Sequence, residues 1–156
     1  MPPGIVIAML VTNHVLSGAL IGSLSRRPAA AFAAGVASHF ALDAVPHWGE
    51  WASHGHFLRV AVRDGLTGLA VIGLFTAVTP PSHRLAVVAG MAGAALPDID
   101  KPCRLWFGRS PFPAAVDRFH SAIQREAPGR FPRELAAGAC FASLTLAILG
   151  IRRGRE

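Results

Sequence analysis

Charge is scarce in this chain, and lysine is scarcer still. Charged residues fill 15% of its 156 positions and hydrophobic ones 52%, whereas a soluble domain carries about 25% charged residues. The deficit argues against an ordinary soluble globule, and the length leaves room for one compact domain without a second. Lys101 is the only lysine, so the formal charge of +6 comes almost wholly from arginine. The arginines stand between apolar runs and at the carboxyl end, where positive charge flanks membrane helices. No basic stripe with interleaved aromatics appears, which argues against nucleic acid as a partner.

Other absences narrow the chemistry. The two cysteines, Cys103 and Cys140, give neither a metal-ligand spacing nor a disulfide framework. No Gly-x-Ser-x-Gly, His-Glu-x-x-His or P-loop pattern is present, which argues against a serine lipase, a zincin protease and an NTPase. No convincing internal repeat is found. The first apolar run has no basic residue ahead of it, is interrupted by Asn13 and His14, and is not followed by a convincing small-x-small site. It is expected to stay in the mature protein.

What the apolar runs do contain is a set of ionisable side chains. His14 follows Asn13 inside the first run, His39 and Asp43 lie four apart in the second, Asp64 opens the third, and Asp98 and Asp100 close the fourth. An ionisable group at a bilayer centre costs roughly 2.5–3.5 kcal/mol on insertion scales, so several together imply mutual pairing, water or a bound cation. The fold expected is therefore an all-α, polytopic transmembrane bundle of four or five helices with a polar site inside. The spans fall at about 4–24, 28–44, 56–78, 82–96 and 133–151. A spanning helix needs about 17–25 residues, which makes the second marginal and the fourth short.

The loop 101–131 is expected to hold a short amphipathic helix over about 114–126, with Val116, Phe119 and Ile123 on its apolar side and His120 turned inward. Trp48, Trp51 and Trp106 stand next to helix ends as interfacial anchors. Gly18 and Gly22, with Ala33, Ala34, Gly35 and Ala37, are expected to allow close helix contact.

If all five helices cross, the second-to-third and fourth-to-fifth connections share one side of the membrane. His39, Asp43, His47, His54, His56, Asp64, Asp98, Asp100 and His120 then gather at one face. His14, about ten residues or 15 Å of helix from either end, is placed as the floor of a funnel opening there. Orientation is undecided: Arg26, Arg27 and the basic tail point one way, and the arginine-rich loops beside the site point the other.

Two segments carry most of the chemistry. His39 and Asp43, at i and i+4, stand on one helix face and suit two ligands of one cation. Pro46 ends that helix, and His47 lies on the following turn. A plain hydrogen-bonded His39–Asp43 pair with an exposed His47 is an equal alternative. Asp98 and Asp100 straddle Ile99 after a proline, where both can present oxygens to a metal, or one can bind while the other orients. A solvated turn is the competing reading. Asp64 is read either as a ligand, as an anion early in a helix, or as a partner of Arg63, and Asn13 as a hydrogen-bonding link to a neighbouring helix. His54, His56 and His83 are read as surface residues.

Taken in order, Thr12-Asn13-His14, His39-x3-Asp43-x3-His47, Asp64, Leu96-Pro97-Asp98-Ile99-Asp100 and Phe119-His120-Ser121 resemble the YdjM-type family of predicted membrane-bound metal-dependent hydrolases. The resemblance runs from the first helix to about Gln124. It implies a metal or catalytic role for His14, His39, Asp43, Asp98, Asp100 and His120, with His47 and Asp64 as further ligands. Many members carry an additional histidine and an arginine before a Thr-His-Ser; this chain has Asp117-Arg118-Phe119-His120-Ser121, so a ligand is either missing or replaced by Asp117. The function expected is metal-assisted hydrolysis of a lipid-like ester or phosphoester, with zinc, or else manganese, as the divalent ion and Asp100 or Asp43 as the base. The partners expected are membrane lipids, and the location a bacterial inner membrane. A non-catalytic packing role for the His/Asp cluster and an ion- or proton-coupled carrier are the rivals.

Overall fold

Glycine decides which helix faces meet. In the computed structural model, which describes residues 10–50 and 52–154, the helices are α1 (Val11–Leu24), α2 (Pro28–Asp43), α3 (His54–Val78), α4 (Pro81–Ala95), α5 (Asp100–Phe107), α6 (Ala114–Ile123) and α7 (Phe131–Arg153). α4 passes α1 and α2 at backbone contact. A Cβ on Gly18 would stand 2.4 Å from Gly90 O, one on Gly90 2.3 Å from Gly18 O, and one on Gly93 2.2 Å from Phe32 O. Real side chains do not tolerate such distances, so only glycine permits this crossing.

The expected role of Gly18, Gly22 and Gly35 agrees with these contacts. That of Ala33, Ala34 and Ala37 does not, because all three are exposed. The inward stripe of α2 instead runs through Ala31, Gly35, His39 and Asp43, at helical spacing. Around α1 and α4, a core forms from Val15, Leu16, Ala19, Val87 and Met91, completed by Phe75 of α3 and Leu149 of α7.

Local signals set the helix ends. Pro28, Pro81 and Pro132 stand in first turns, where a missing N–H costs nothing. The Ser53 hydroxyl accepts the His56 N–H at 3.1 Å and starts α3 two residues earlier than expected. α2 stops just before Val45-Pro46, as anticipated. α4 passes into a 3-10 turn, Leu96–Ile99, which runs into α5. α5 lies in what was expected to be loop, and it closes on Gly108 at φ 71°. α6 ends at Ile123, short of the expected 126. β1 (His47–Trp48) and β2 (Glu126–Ala127) pair in parallel, so the two loops expected to share a face are hydrogen-bonded to each other. At the other end, Arg152 of α7 meets His83 of α4 at 2.5 Å and Arg153 donates to the Val78 carbonyl.

Among the described residues, two helices are long and apolar enough to cross a membrane, α3 and α7. Their outer faces expose Leu66, Leu69 and Leu74, and Leu135, Leu144 and Leu146. The helices α1, α2 and α4, with 14, 16 and 15 residues, rise about 1.5 Å per residue. Each therefore falls short of the roughly 30 Å hydrocarbon core. Positions 4–9 of the expected first span, and Trp51, lie outside the described residues.

Gly90→Ala is expected to destabilise the purified protein by about 1–3 kcal/mol, as overpacking does. Gly73→Ala, on α3 with nothing within 4 Å, leaves the thermal midpoint unchanged or raises it. Equal midpoints for both variants would show that the backbone crossing is dispensable.

Candidate metal centre

Asp43 is the hub of a fully buried polar cluster. Its Oδ1 lies 3.3 Å from His14 Nε2 of α1, and its Oδ2 lies 3.1 Å from His39 Nε2 and 2.9 Å from His120 Nε2 of α6. His14, His39 and Asp43 each have zero exposure. Asp98 Oδ1, from the 3-10 turn, stands 3.6 Å from His39 Nε2 and 3.7 Å from His120 Nε2. The rings of His14 and His39 stack with centroids 4.0 Å apart.

Proton counting shows what the cluster lacks. His39 Nδ1 is 2.8 Å from the Ala94 carbonyl, so that nitrogen carries the hydrogen and, in a neutral ring, Nε2 carries a lone pair. This lone pair faces Asp43 Oδ2, Asp98 Oδ1 and, at 3.0 Å, His120 Nε2. With the histidines neutral, acceptors outnumber protons. His14 Nδ1 and Nε2, Asp43 Oδ1 and Asp100 Oδ1 are buried with no hydrogen-bond partner, although such groups are almost always satisfied. Tetrahedral ligands held at about 2.0–2.1 Å by one ion stand about 3.3–3.4 Å apart, within the range of separations observed.

Among the described residues, three groups could hold a metal ion: His14–His39–Asp98, His39–Asp43–His120 and Asp98–Asp100–His120. In each, the ligand atoms all lie within 4.8 Å of one another. The structure thus brings together His14, His39, Asp43, Asp98, Asp100 and His120. The Asp98-Ile99-Asp100 segment is helical rather than a solvated turn, and both carboxylates approach His120.

The other expected ligands are placed elsewhere. Both oxygens of Asp64 are taken by the start of α1: Oδ2 accepts the Val11 N–H at 2.6 Å, and Oδ1 accepts the Thr12 hydroxyl at 2.6 Å and its N–H at 3.3 Å. A helix start has orphan N–H groups, and Asp64 satisfies them from a neighbouring helix. His14 is consequently in the first turn of the described α1, not midway along it. Asp117 accepts from Arg104 at 2.5 Å and Ser110 at 2.8 Å, outside the metal-binding groups. His47 is buried and donates through Nδ1 to the Val45 carbonyl at 3.0 Å, but joins none of these groups. His83 is buried, not a surface residue.

Further residues support the donors. The Lys101 ammonium binds Asp98 Oδ1 and stands 3.7 Å from Asp100. Burial alone would lower its pKa, but the two carboxylates outweigh that and raise it; Asp98, which burial would push up, is held below the ordinary carboxylate range chiefly by Lys101. Gln124 Nε2 donates to His120 Nε2 at 3.2 Å or to Asp43 Oδ2 at 3.4 Å. Asn13 donates to Glu134 Oε2 at 2.6 Å, the interhelical link expected of it, and Glu134 also accepts the Trp48 N–H.

Compared with protein-family models, curated proteins and solved structures, the chain matches none.

Asp64→Ala is expected to cost about 1–2 kcal/mol, the value of a lost helix cap, without changing the amount of divalent metal that copurifies. Thermal unfolding with elemental analysis checks both. Loss of metal at unchanged stability would place Asp64 in the centre after all.

Proposed function

We propose that the protein is an integral membrane, metal-dependent hydrolase acting on a lipid-like ester or phosphoester. The observation that carries this reading is the convergence of histidine and aspartate lone pairs from five elements on a buried point that, with neutral histidines, has too few protons. The ordered resemblance to the YdjM-type family supports the same reading on residues alone. Nitrogen and oxygen donors in this mixture suit zinc, with manganese the second choice. When bound, the ion lowers the pKa of a coordinated water towards about 7. The protein supplies the rest. Asp43 and Asp100 each keep one oxygen free of hydrogen bonds, and we assign these two carboxylates to take the proton of the attacking water.

The surroundings of the cluster support this substrate class. Beside the cluster lies an apolar cavity of about 180 Å³, lined by Val36 and Phe40 of α2, Leu96 and Pro97 of the 3-10 turn, Phe112 and Val116, with His120 as its one titratable wall. Such a lining accepts an alkyl chain and leaves the head at the metal donors.

The membrane reading rests on α3 and α7 as full spans and on their exposed leucines. α1, α2 and α4 complete a bundle of five membrane-embedded helices. Leu105, Trp106 and Phe107 of α5, all more than half exposed, lie beside the metal donors as an interfacial anchor. The bilayer we assign is a bacterial inner membrane.

His39→Ala combined with Asp43→Asn is expected to lower the amount of divalent metal retained, while His83→Ala, at the opposite end, retains it in full. Elemental analysis of the three purified proteins decides; equal metal in all of them would remove the assignment.

Cys140 is exposed on α7 and Cys103 half-buried on α5. In sealed vesicles, Cys103 is expected to react with a membrane-impermeant thiol reagent from one side only, and Cys140 to resist because lipid covers it. Equal labelling of the two would mean that α7 does not cross the membrane.

A further inference from the structure

We propose that the centre holds two divalent ions that share Asp98, and that this pair selects a phosphoester over an uncharged ester. The inference rests on the hydrolase reading above and deepens it. Six donor residues converge, whereas one tetrahedral catalytic ion takes about three protein ligands and leaves a position open. The groups His14–His39–Asp98 and Asp98–Asp100–His120 have only Asp98 in common, and a carboxylate with two oxygens is suited to bridging. Atoms without a hydrogen bond mark both ends of the cluster: His14 Nδ1 and Nε2 at one, the latter 3.3 Å from Asp43 Oδ1, and at the other Asp100 Oδ1, 3.7 Å from the Lys101 ammonium. A single ion within His39–Asp43–His120 would leave both ends unsatisfied. Asp43, facing all three histidines, then serves as the proton acceptor, and Asp100 as a ligand.

Charge points to the substrate. With neutral histidines, the carboxylates of Asp43, Asp98 and Asp100 and the ammonium of Lys101 sum to two negative charges, while Arg104 is matched by Asp117. One divalent ion would bring the centre to neutrality. Two leave it positive by two, which draws an anionic phosphoester and steadies the charge gathering on its oxygens. In the reaction, the oxygen of water bonds to phosphorus, the bond from phosphorus to the leaving alcohol oxygen breaks with its electron pair on that oxygen, and the water proton passes by way of Asp43 to the alkoxide.

The test is metal stoichiometry of the detergent-purified full chain, loaded with manganese and freed of unbound ion. Two ions per chain are expected. One ion would overturn the shared pair and leave the hydrolase reading standing; none would overturn both. His14→Ala and Asp100→Asn are each expected to retain one ion and Asp98→Asn none, so an ion kept by the last variant refutes the sharing. Electron paramagnetic resonance of the manganese-loaded native chain needs no variant: a coupled pair is expected, and isolated ions would refute it. Turnover of bis(p-nitrophenyl) phosphate without turnover of p-nitrophenyl acetate is expected from the charge, and the reverse preference would overturn the substrate choice.

Discussion

Asp43 is a carboxylate with no exposure, faced by histidines from α1, α2 and α6, and much of the architecture can be understood as what is needed to keep it there. An ionised group away from water persists only when paired and hydrogen-bonded. Bringing His14 and the Asp98 turn to it requires α1, α2 and α4 to pack more tightly than side chains allow. The glycines at their crossing supply that closeness. The Ala94 carbonyl that fixes the His39 ring belongs to the same stretch of α4 that Gly90 and Gly93 bring against α2. Packing and chemistry therefore depend on one set of backbone contacts.

The surrounding shell works by restraint. Lys101 holds Asp98, Gln124 reaches towards both His120 and Asp43, and the paired strands β1 and β2 fasten the loop after α2 to the segment after α6. His120 is the donor most dependent on this fastening, because α6 is a ten-residue helix that otherwise touches the bundle through few side chains. Partners of this kind set ring orientation and donor basicity in metal centres.

The parts of the centre that were legible from sequence are those fixed by local periodicity or by chain order. The i, i+4 spacing put His39 and Asp43 on one face, Pro46 ended their helix, and alternation of the helices across the bundle put the two loops together. What escaped depends on distant contacts. Asp64 looks the same whether it binds a metal or caps another helix, and only the position of Val11 and Thr12 tells which. Lys101, three residues after Asp98, was readable as an i, i+3 pair had α5 been recognised as a helix, but Pro102 disguised it. The alanines of α2 misled because small residues mark a contact face only when the neighbour's position is known. Glu134 gave no signal beyond an acidic residue early in a helix, where such residues are common.

The spacing of the acidic residues bears on how such a chain is made. Asp43 follows His39 by four residues, Asp98 precedes Lys101 by three, and Asp100 precedes Arg104 by four. Each carboxylate thus leaves the ribosome within one helical turn of a group able to pair with it, before the distant donors exist. His120, the last donor, appears only after the helices bearing the others have been synthesised. These local pairs persist in the folded protein, so the long-range cluster forms by adding distant donors to partners that each carboxylate already has.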